Sequence, residues 1–161
     1  MLPTRDEFMT AFAYDPETGI FTRRANGAAV GRKDYNGYRR ISLYGKVVYA
    51  HRLAWLFIHA EWPPKWIDHK DGNRANNSIS NLRSATPSQN IAAASHSFRK
   101  PKSGFRGVHW KQRNKKWASY IRHEGKAVHL GYYSGVSEAA KAYDLAAIRL
   151  FGEFAYRNLP V

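Results

Sequence analysis

The chain of 161 residues contains no cysteine. That excludes disulfides, cysteine-ligated zinc and thiol catalysis, and it suits a reducing compartment. Long apolar runs are also missing. The longest, around Leu53 to Ala60 in HRLAWLFIHA, is too short to cross a bilayer. The opening MLPTRDEF lacks the layout of a signal peptide. A cytoplasmic protein is the expectation. Acidic side chains are scarce, with 12 Asp and Glu against 26 Lys and Arg and a formal charge of +14. Basic amphipathic helices of the membrane-surface type are absent from the pattern. Nucleic acid is therefore the expected partner, with no membrane and no small-molecule cofactor.

What is present supports a folded protein. Apolar residues make up 43% and aromatics 14%, enough for the cores of one or two small domains. The excess charge is spread along the chain: residues 1–92 carry 13 basic and 8 acidic side chains, residues 93–103 carry 3 and 0, and residues 104–161 carry 10 and 4.

Thr4 to Glu7 reads as a capping box that opens a short helix to about Ala13. YDPETG at 14–19 is a turn between two short strands. GYRRISLYGKVVY at 37–49 reads as a hairpin around Tyr44, Gly45 and Lys46. HRLAWLFIHA at 51–60 is apolar nearly all round, which predicts a buried helix stopped before Pro63 and Pro64.

The stretch that follows, WIDHKDGNRANNSISNLRSATPSQN, has five asparagines and few apolar residues. Trp66–His69 and Leu82–Ala85 can pair as strands. Thr86, Pro87 and Gln89 form a helix start with an N-cap, a proline at the first position and a capping-box glutamine. The stretch thus reads as a strand–strand–helix unit with Asp68 and His69 on one strand and Asn90 one turn into the helix. Asp and Asn oxygens suit a hard cation such as Mg2+, and a neutral imidazole can deprotonate water near neutral pH. Together they would make a one-metal phosphodiester hydrolysis site. The same asparagines also serve turns, and Asn73, Asn76 and Asn77 read that way. A calcium loop with its glycine at Gly72 would put Ile67 first and Ser78 last, and neither fits. Zinc is equally poor, with no cysteine and no closely spaced His pair.

The order D-H-x-D-G-N, N-N, N-L-R, T-x-x-x-N, preceded by H-R-L-A-W, resembles the HNH endonuclease family, in particular its phage and intron homing type. The resemblance covers about residues 35–92, with YDPETGIFTRR as a familiar lead-in. It implies a ββα-metal fold (His-Me finger), with His69 as general base and Asp68 and Asn90 as ligands of a divalent metal, Mg2+ or alternatively Mn2+. It implies that Asn81 holds the loop around the catalytic histidine. His51, in the HRLAW element, recurs in the resemblance as a secondary candidate.

Residues 93–103, AASHSFRKPKS, read as a basic linker. From Gly104 three strand-like segments alternate apolar and polar residues, separated by turns at Asn114-Lys115 and Glu124-Gly125. SEAAKAYDLAAIRLFG then reads as a helix capped by Ser137 and ended by Gly152, with an alanine-rich face toward the sheet. Alternation puts Trp117 and Ile121 on the helix side and Tyr120 and Arg122 on the open side. A basic, aromatic sheet can enter the major groove.

F-R-G-V, W-A-x-x-I-R, V-H-L-G-Y-Y, S-E-A-A-x-A-Y-D and the closing N-L-P resemble the Apetala-type, or ethylene-response-factor, DNA-binding domain over about residues 104–160. The resemblance implies DNA contacts from Arg106, Lys111, Arg113, Lys116, Tyr120, Arg122 and His129. His109 and His129 stand where arginine and tryptophan are usual, and the first inter-strand loop is slightly longer. That family's sequence preference therefore does not transfer.

The expectation is an α+β protein. An HNH nuclease domain would occupy residues 1–92, with its ββα core about 66–95. A three-stranded antiparallel sheet packed on one helix would occupy 104–161. The expected activity is metal-dependent hydrolysis of double-stranded DNA by a monomer, in a bacterial or phage-infected cell. The alternatives are a non-catalytic DNA-binding regulator that retains the HNH scaffold, and an RNA-binding protein.

Overall fold

The computed structural model describes residues 3–94 and 101–160. Most of the expected basic linker, residues 95–100, lies outside the described residues. The chain divides into two compact units, Met1–Ala85 and Thr86–Val161. This boundary falls before the 93–103 segment where the sequence places it. The reason is that helix α3 (Pro87–Ala93) clusters with the second unit.

In the first unit, helix α1 (Arg5–Ala11) starts as expected, with Thr4 and Glu7 exchanging capping hydrogen bonds. Strands β1 (Phe12–Tyr14), β2 (Phe21–Arg23) and β3 (Ala29–Val30) form one antiparallel sheet in that order. Strands β4 (Arg32–Lys33), β5 (Arg39–Leu43) and β6 (Lys46–Tyr49) form another. The β5–β6 hairpin turns through Tyr44 and Gly45, both at positive φ, as a tight two-residue turn requires. Helix α2 (Ala50–His59) follows and ends at Ala60 in the left-handed region, before the two prolines act. It is not buried all round. Ala50, His51, Leu53, Ala54 and Leu56 face inward, whereas Ile58 is 46% exposed, because only one side meets the core. That core joins Phe8, Phe12, Phe21, Ile41, Leu53 and Leu82. Strands β7 (Ile67–His69) and β8 (Leu82–Ser84) pair antiparallel, with Asp68 opposite Arg83 and a single 3-10 turn, Ile79–Asn81, leading into β8.

The second unit contains α3 and a sheet of β9 (Val108–Lys111), β10 (Lys116–His123) and β11 (Lys126–Tyr133), ordered β11-β10-β9. Helix α4 (Val136–Phe151) packs on one face, burying Ala139, Ala140, Tyr143 and Ala147 against Val108, Ile121 and their neighbours. Its small side chains let helix and sheet approach closely. The helix starts ahead of the expected cap Ser137, because Gly135 takes the N-cap and its N–H donates to the Glu138 carboxylate (3.2 Å). Among the described residues no helix is long and apolar enough to cross a membrane.

Gly19 holds the lead-in turn against the first unit. Its φ is +71°, and a Cβ there would collide with the backbone of Asn77 and Ser78. Gly45 has a similar φ of +72° with open space beside it. Gly45→Ala is expected to cost about 1–2 kcal/mol, the penalty of a left-handed non-glycine residue. Gly19→Ala is expected to cost more, because backbone must also move. Equal losses in chemical denaturation would refute the close-packing role of Gly19.

Candidate functional site

The centre of the first unit's polar chemistry is His69, 5% exposed at the end of β7. The Asn77 carboxamide oxygen lies 3.4 Å from its Nε2. Asn77 Nδ2 donates to the Ala75 carbonyl (3.2 Å), which fixes the amide so that Oδ1 faces the ring. An acceptor there requires Nε2 to carry the proton, leaving the lone pair on Nδ1. Asn77 is fully buried and its own carbonyl accepts from the Tyr14 hydroxyl (2.8 Å). A turn residue by sequence, it is also the partner that orients the histidine ring.

Burial pushes the His69 imidazole below its usual pKa, and nearby Arg74 adds to this against the opposing pull of Asn77, Asp71 and Asp68. The ring is therefore neutral near pH 7. Around it stand His51 (ring centroids 5.2 Å apart) and Tyr38 (5.9 Å). His51 is buried, and among the described residues its Nδ1 has no hydrogen-bond partner. Burial, with smaller contributions from His69 and Arg52, pushes its pKa down to about 3.

The loop after β7 is built on Asp71. Its carboxylate accepts from the Asn73 N–H (2.7 Å), Asn76 Nδ2 (2.7 Å) and Asn81 Nδ2 (3.0 Å). These hydrogen bonds, with neighbouring His69, hold the carboxyl below its usual pKa although burial acts the other way. Asn81 also donates to the Asn76 carbonyl (2.9 Å) and accepts from the Asp71 N–H (3.1 Å). Its side chain thus ties both ends of the loop.

Asp68 pairs with Arg83 on the facing strand. Its Oδ2 accepts from Arg83 Nε (2.8 Å) and ion-pairs with Nη2 (2.7 Å). The sequence reading missed Arg83, Asp71 and the ring contact of Asn77. Arg83 was recoverable, since pairing β7 with β8 places it directly across from Asp68. Asn90 lies on α3 in the second unit, past the Thr86–Gln89 capping box.

In the second unit the strand register puts Lys111, Lys116, Tyr120, Arg122 and His129 on the sheet face opposite α4. Lys111 Nζ lies 5.3 Å from the Tyr120 ring, and Tyr120 lies 4.8 Å from His129. Arg122 is exposed, as is Arg113 in the first inter-strand turn. Arg106 differs. Its guanidinium is turned onto the end of α3, where Nη1 donates to the Ala92 and Ala94 carbonyls (2.9 and 3.0 Å) and Nη2 to that of Ile91 (2.9 Å).

Residues 48–92 match the family model for HNH endonucleases. The uncharacterized HNH endonuclease L560 of Acanthamoeba polyphaga mimivirus is 37% identical over 110 residues, which are 67% of this chain and 56% of that protein. The AP2-like ethylene-responsive transcription factor TOE2 of Arabidopsis thaliana is 38% identical over 66 residues, 41% of this chain and 14% of that protein. The chain thus spans little more than half of the viral relative and a small part of the plant one. Among solved structures, one of DNA binding and cleavage by the HNH homing endonuclease I-HmuI is similar at 30% identity and a TM-score of 0.43, covering 50% of this chain and 49% of that one.

The low pKa of His51 makes a stability prediction. The unfolded histidine titrates near 6.5 and the folded one near 3. Between those values the unfolded state binds the extra proton, so stability is full above 6.5 and falls as pH drops, by up to about 1.4 kcal/mol per pH unit. His51→Phe is expected to flatten that slope in denaturation measured from pH 7 to 4. An unchanged slope would assign the effect elsewhere.

Proposed function

We propose that the protein is a DNA endonuclease of the HNH homing type, hydrolysing phosphodiester bonds with a divalent metal and aided in DNA recognition by its C-terminal sheet. The observation that carries this is the neutral, buried His69, oriented through Nε2 by Asn77 within the segment that matches the HNH endonuclease model. A lone pair on Nδ1 can take the proton of an attacking water at neutral pH. Asn81 and Asp71 keep the loop beside that base in one conformation, so its orientation needs no rearrangement during reaction.

The proposed metal ligands are Asp68 and Asn90. Carboxylate and carboxamide oxygens suit a hard cation, and Arg83 holds the Asp68 carboxylate through Oδ2. Among the described residues no three His, Cys, Asp or Glu side chains gather into a closed cage. A sparse oxygen set fits Mg2+, which keeps water and phosphate oxygens in its shell, and Mn2+ can substitute. Bound there, the ion would supply positive charge for the phosphoryl and leaving oxygens. Arg83 orients the Asp68 carboxylate.

The exposed cations and rings of the sheet, Lys111, Lys116, Tyr120, Arg122 and His129, with Arg113 in the adjoining turn, are the proposed contacts to double-stranded DNA. The partial match to a plant transcription factor supports this. The second reading is a regulator that binds DNA without cutting it.

His69→Ala, Asp68→Ala and Asn90→Ala are each expected to abolish Mg2+-dependent nicking of plasmid DNA, with duplex affinity kept. EDTA is expected to stop the wild type. Full cleavage by His69→Ala would sink the mechanism, and a wild type that binds but never cuts would favour the regulator. Arg122→Ala should weaken duplex binding and lower its salt dependence by about one counterion. Binding and salt slope both unchanged would show that the sheet does not meet the phosphates through this residue.

A further inference from the structure

The Apetala-type resemblance implies a DNA contact for Arg106, but the structure gives its guanidinium a different partner. Helix α3 has only 7 residues, and so short a helix is marginal without help at both ends. Thr86 and Gln89 serve its N-terminus. Its last turn has no basic residue, and its C-cap is Ala94 rather than a glycine. The last carbonyls of a helix lack intrahelical partners. Arg106 supplies them, through three hydrogen bonds to the carbonyls of Ile91, Ala92 and Ala94. A cation at that end also opposes the helix dipole favourably.

Arg106 is itself anchored. Its N–H donates to Asn158 Oδ1 (2.7 Å), and Asn158 Nδ2 donates back to the Arg106 carbonyl (3.1 Å). The N–H groups of Asn158 and Leu159 donate to the carboxylate of Asp144, which is buried on α4 (2.7 and 2.9 Å). The guanidinium lies 5.5 Å from the Tyr156 ring. At the next residue, Gly107, a Cβ would meet the Tyr143 ring and the Tyr120 carbonyl, so this backbone is seated directly on the helix–sheet core. An unbroken chain of hydrogen bonds therefore runs from Asp144 through Asn158 and Arg106 to the residue after Asn90.

We propose that Arg106 is a positioning residue rather than a DNA contact. It fixes the helix that carries Asn90 to the sheet-and-helix framework of the second unit, and so sets the position of that proposed ligand. This rests on the reading of Asn90 given above.

The discriminating variant is Arg106→Lys in the full chain. Lysine keeps the charge a phosphate contact would need but cannot fork over three carbonyls. Hydrogen exchange, duplex affinity and Mg2+-dependent cleavage at saturating DNA are compared with wild type. The expected result is exchange in α3, at Asn90 and Ala94, faster by about tenfold with β10 unchanged, and a duplex Kd within about twofold. The Mg2+ concentration for half-maximal cleavage is expected to rise by about tenfold, as when a group supporting a metal ligand is lost. A weakened Kd with α3 exchange unchanged would overturn the proposal and make Arg106 a DNA reader. Faster α3 exchange with an unchanged Mg2+ requirement would also overturn it. If the wild type does not cut at all, the nuclease reading fails, and exchange with affinity still decide whether Arg106 holds α3 or binds DNA.

Discussion

One contact organises the first unit: the Asn77 carboxamide oxygen against His69 Nε2. A buried imidazole could adopt either tautomer and several ring orientations. A single acceptor, itself locked by a second hydrogen bond, removes that freedom. Asn77 is in turn held through its backbone, by the Tyr14 hydroxyl and by the close seat of Gly19, while the Ile79 N–H donates to the Pro16 carbonyl. The lead-in YDPETG, distant in sequence from the DHKDGN loop, is therefore part of the site's scaffold. Its conformation decides where the histidine ring lies.

Near the same ring, dry surroundings and polar partners act in opposite directions. Burial disfavours the imidazolium, whereas Asp68 and Asp71 favour it. The lowered pKa shows that burial prevails. Both carboxylates have partners of their own: Asp68 pairs with Arg83, and Asp71 accepts from the asparagine side chains and backbone of its loop. The asparagines thus have an electrostatic consequence as well as a structural one. They satisfy a carboxylate near the His69 ring without adding a positive charge.

Much of this was legible in the sequence, and the exceptions have physical causes. Capping boxes at Thr4 and Thr86 and the hairpin at Tyr44-Gly45 are local rules, and the structure follows them. Alternation along β10 separates Trp117 and Ile121 from Tyr120 and Arg122, because the side-chain period of a strand is fixed. Helix α2 was misread because an apolar sequence does not say how much of a helix its neighbours cover. The starting point of α4 was misread because a glycine N–H bonded to Glu138 outcompeted a serine cap. Asn77 and Asp71 were missed for a different reason. Their roles depend on a chain crossing at Tyr14–Gly19 and on a loop closing on itself, and residue type alone distinguishes neither from ordinary turn chemistry.

Arg106 shows how far a motif can be carried. The F-R-G-V, Y-D and N-L-P elements lie well apart in sequence, yet Arg106, Asp144, Asn158 and Leu159 meet in one hydrogen-bonded network. Those motif residues fit a framework role, since the network's bonds join their side chains to backbone N–H and C=O groups. A guanidinium at the end of such a network is already desolvated in part and oriented. Turning it outward to DNA would expose three helix carbonyls and undo the stacking beside Tyr156. The cations best placed for phosphate are instead those whose side chains have no such commitment on the open face, with Arg122 and Lys116 exposed there. On the proposed function, framework and recognition thus divide between residues that the sequence pattern alone groups together.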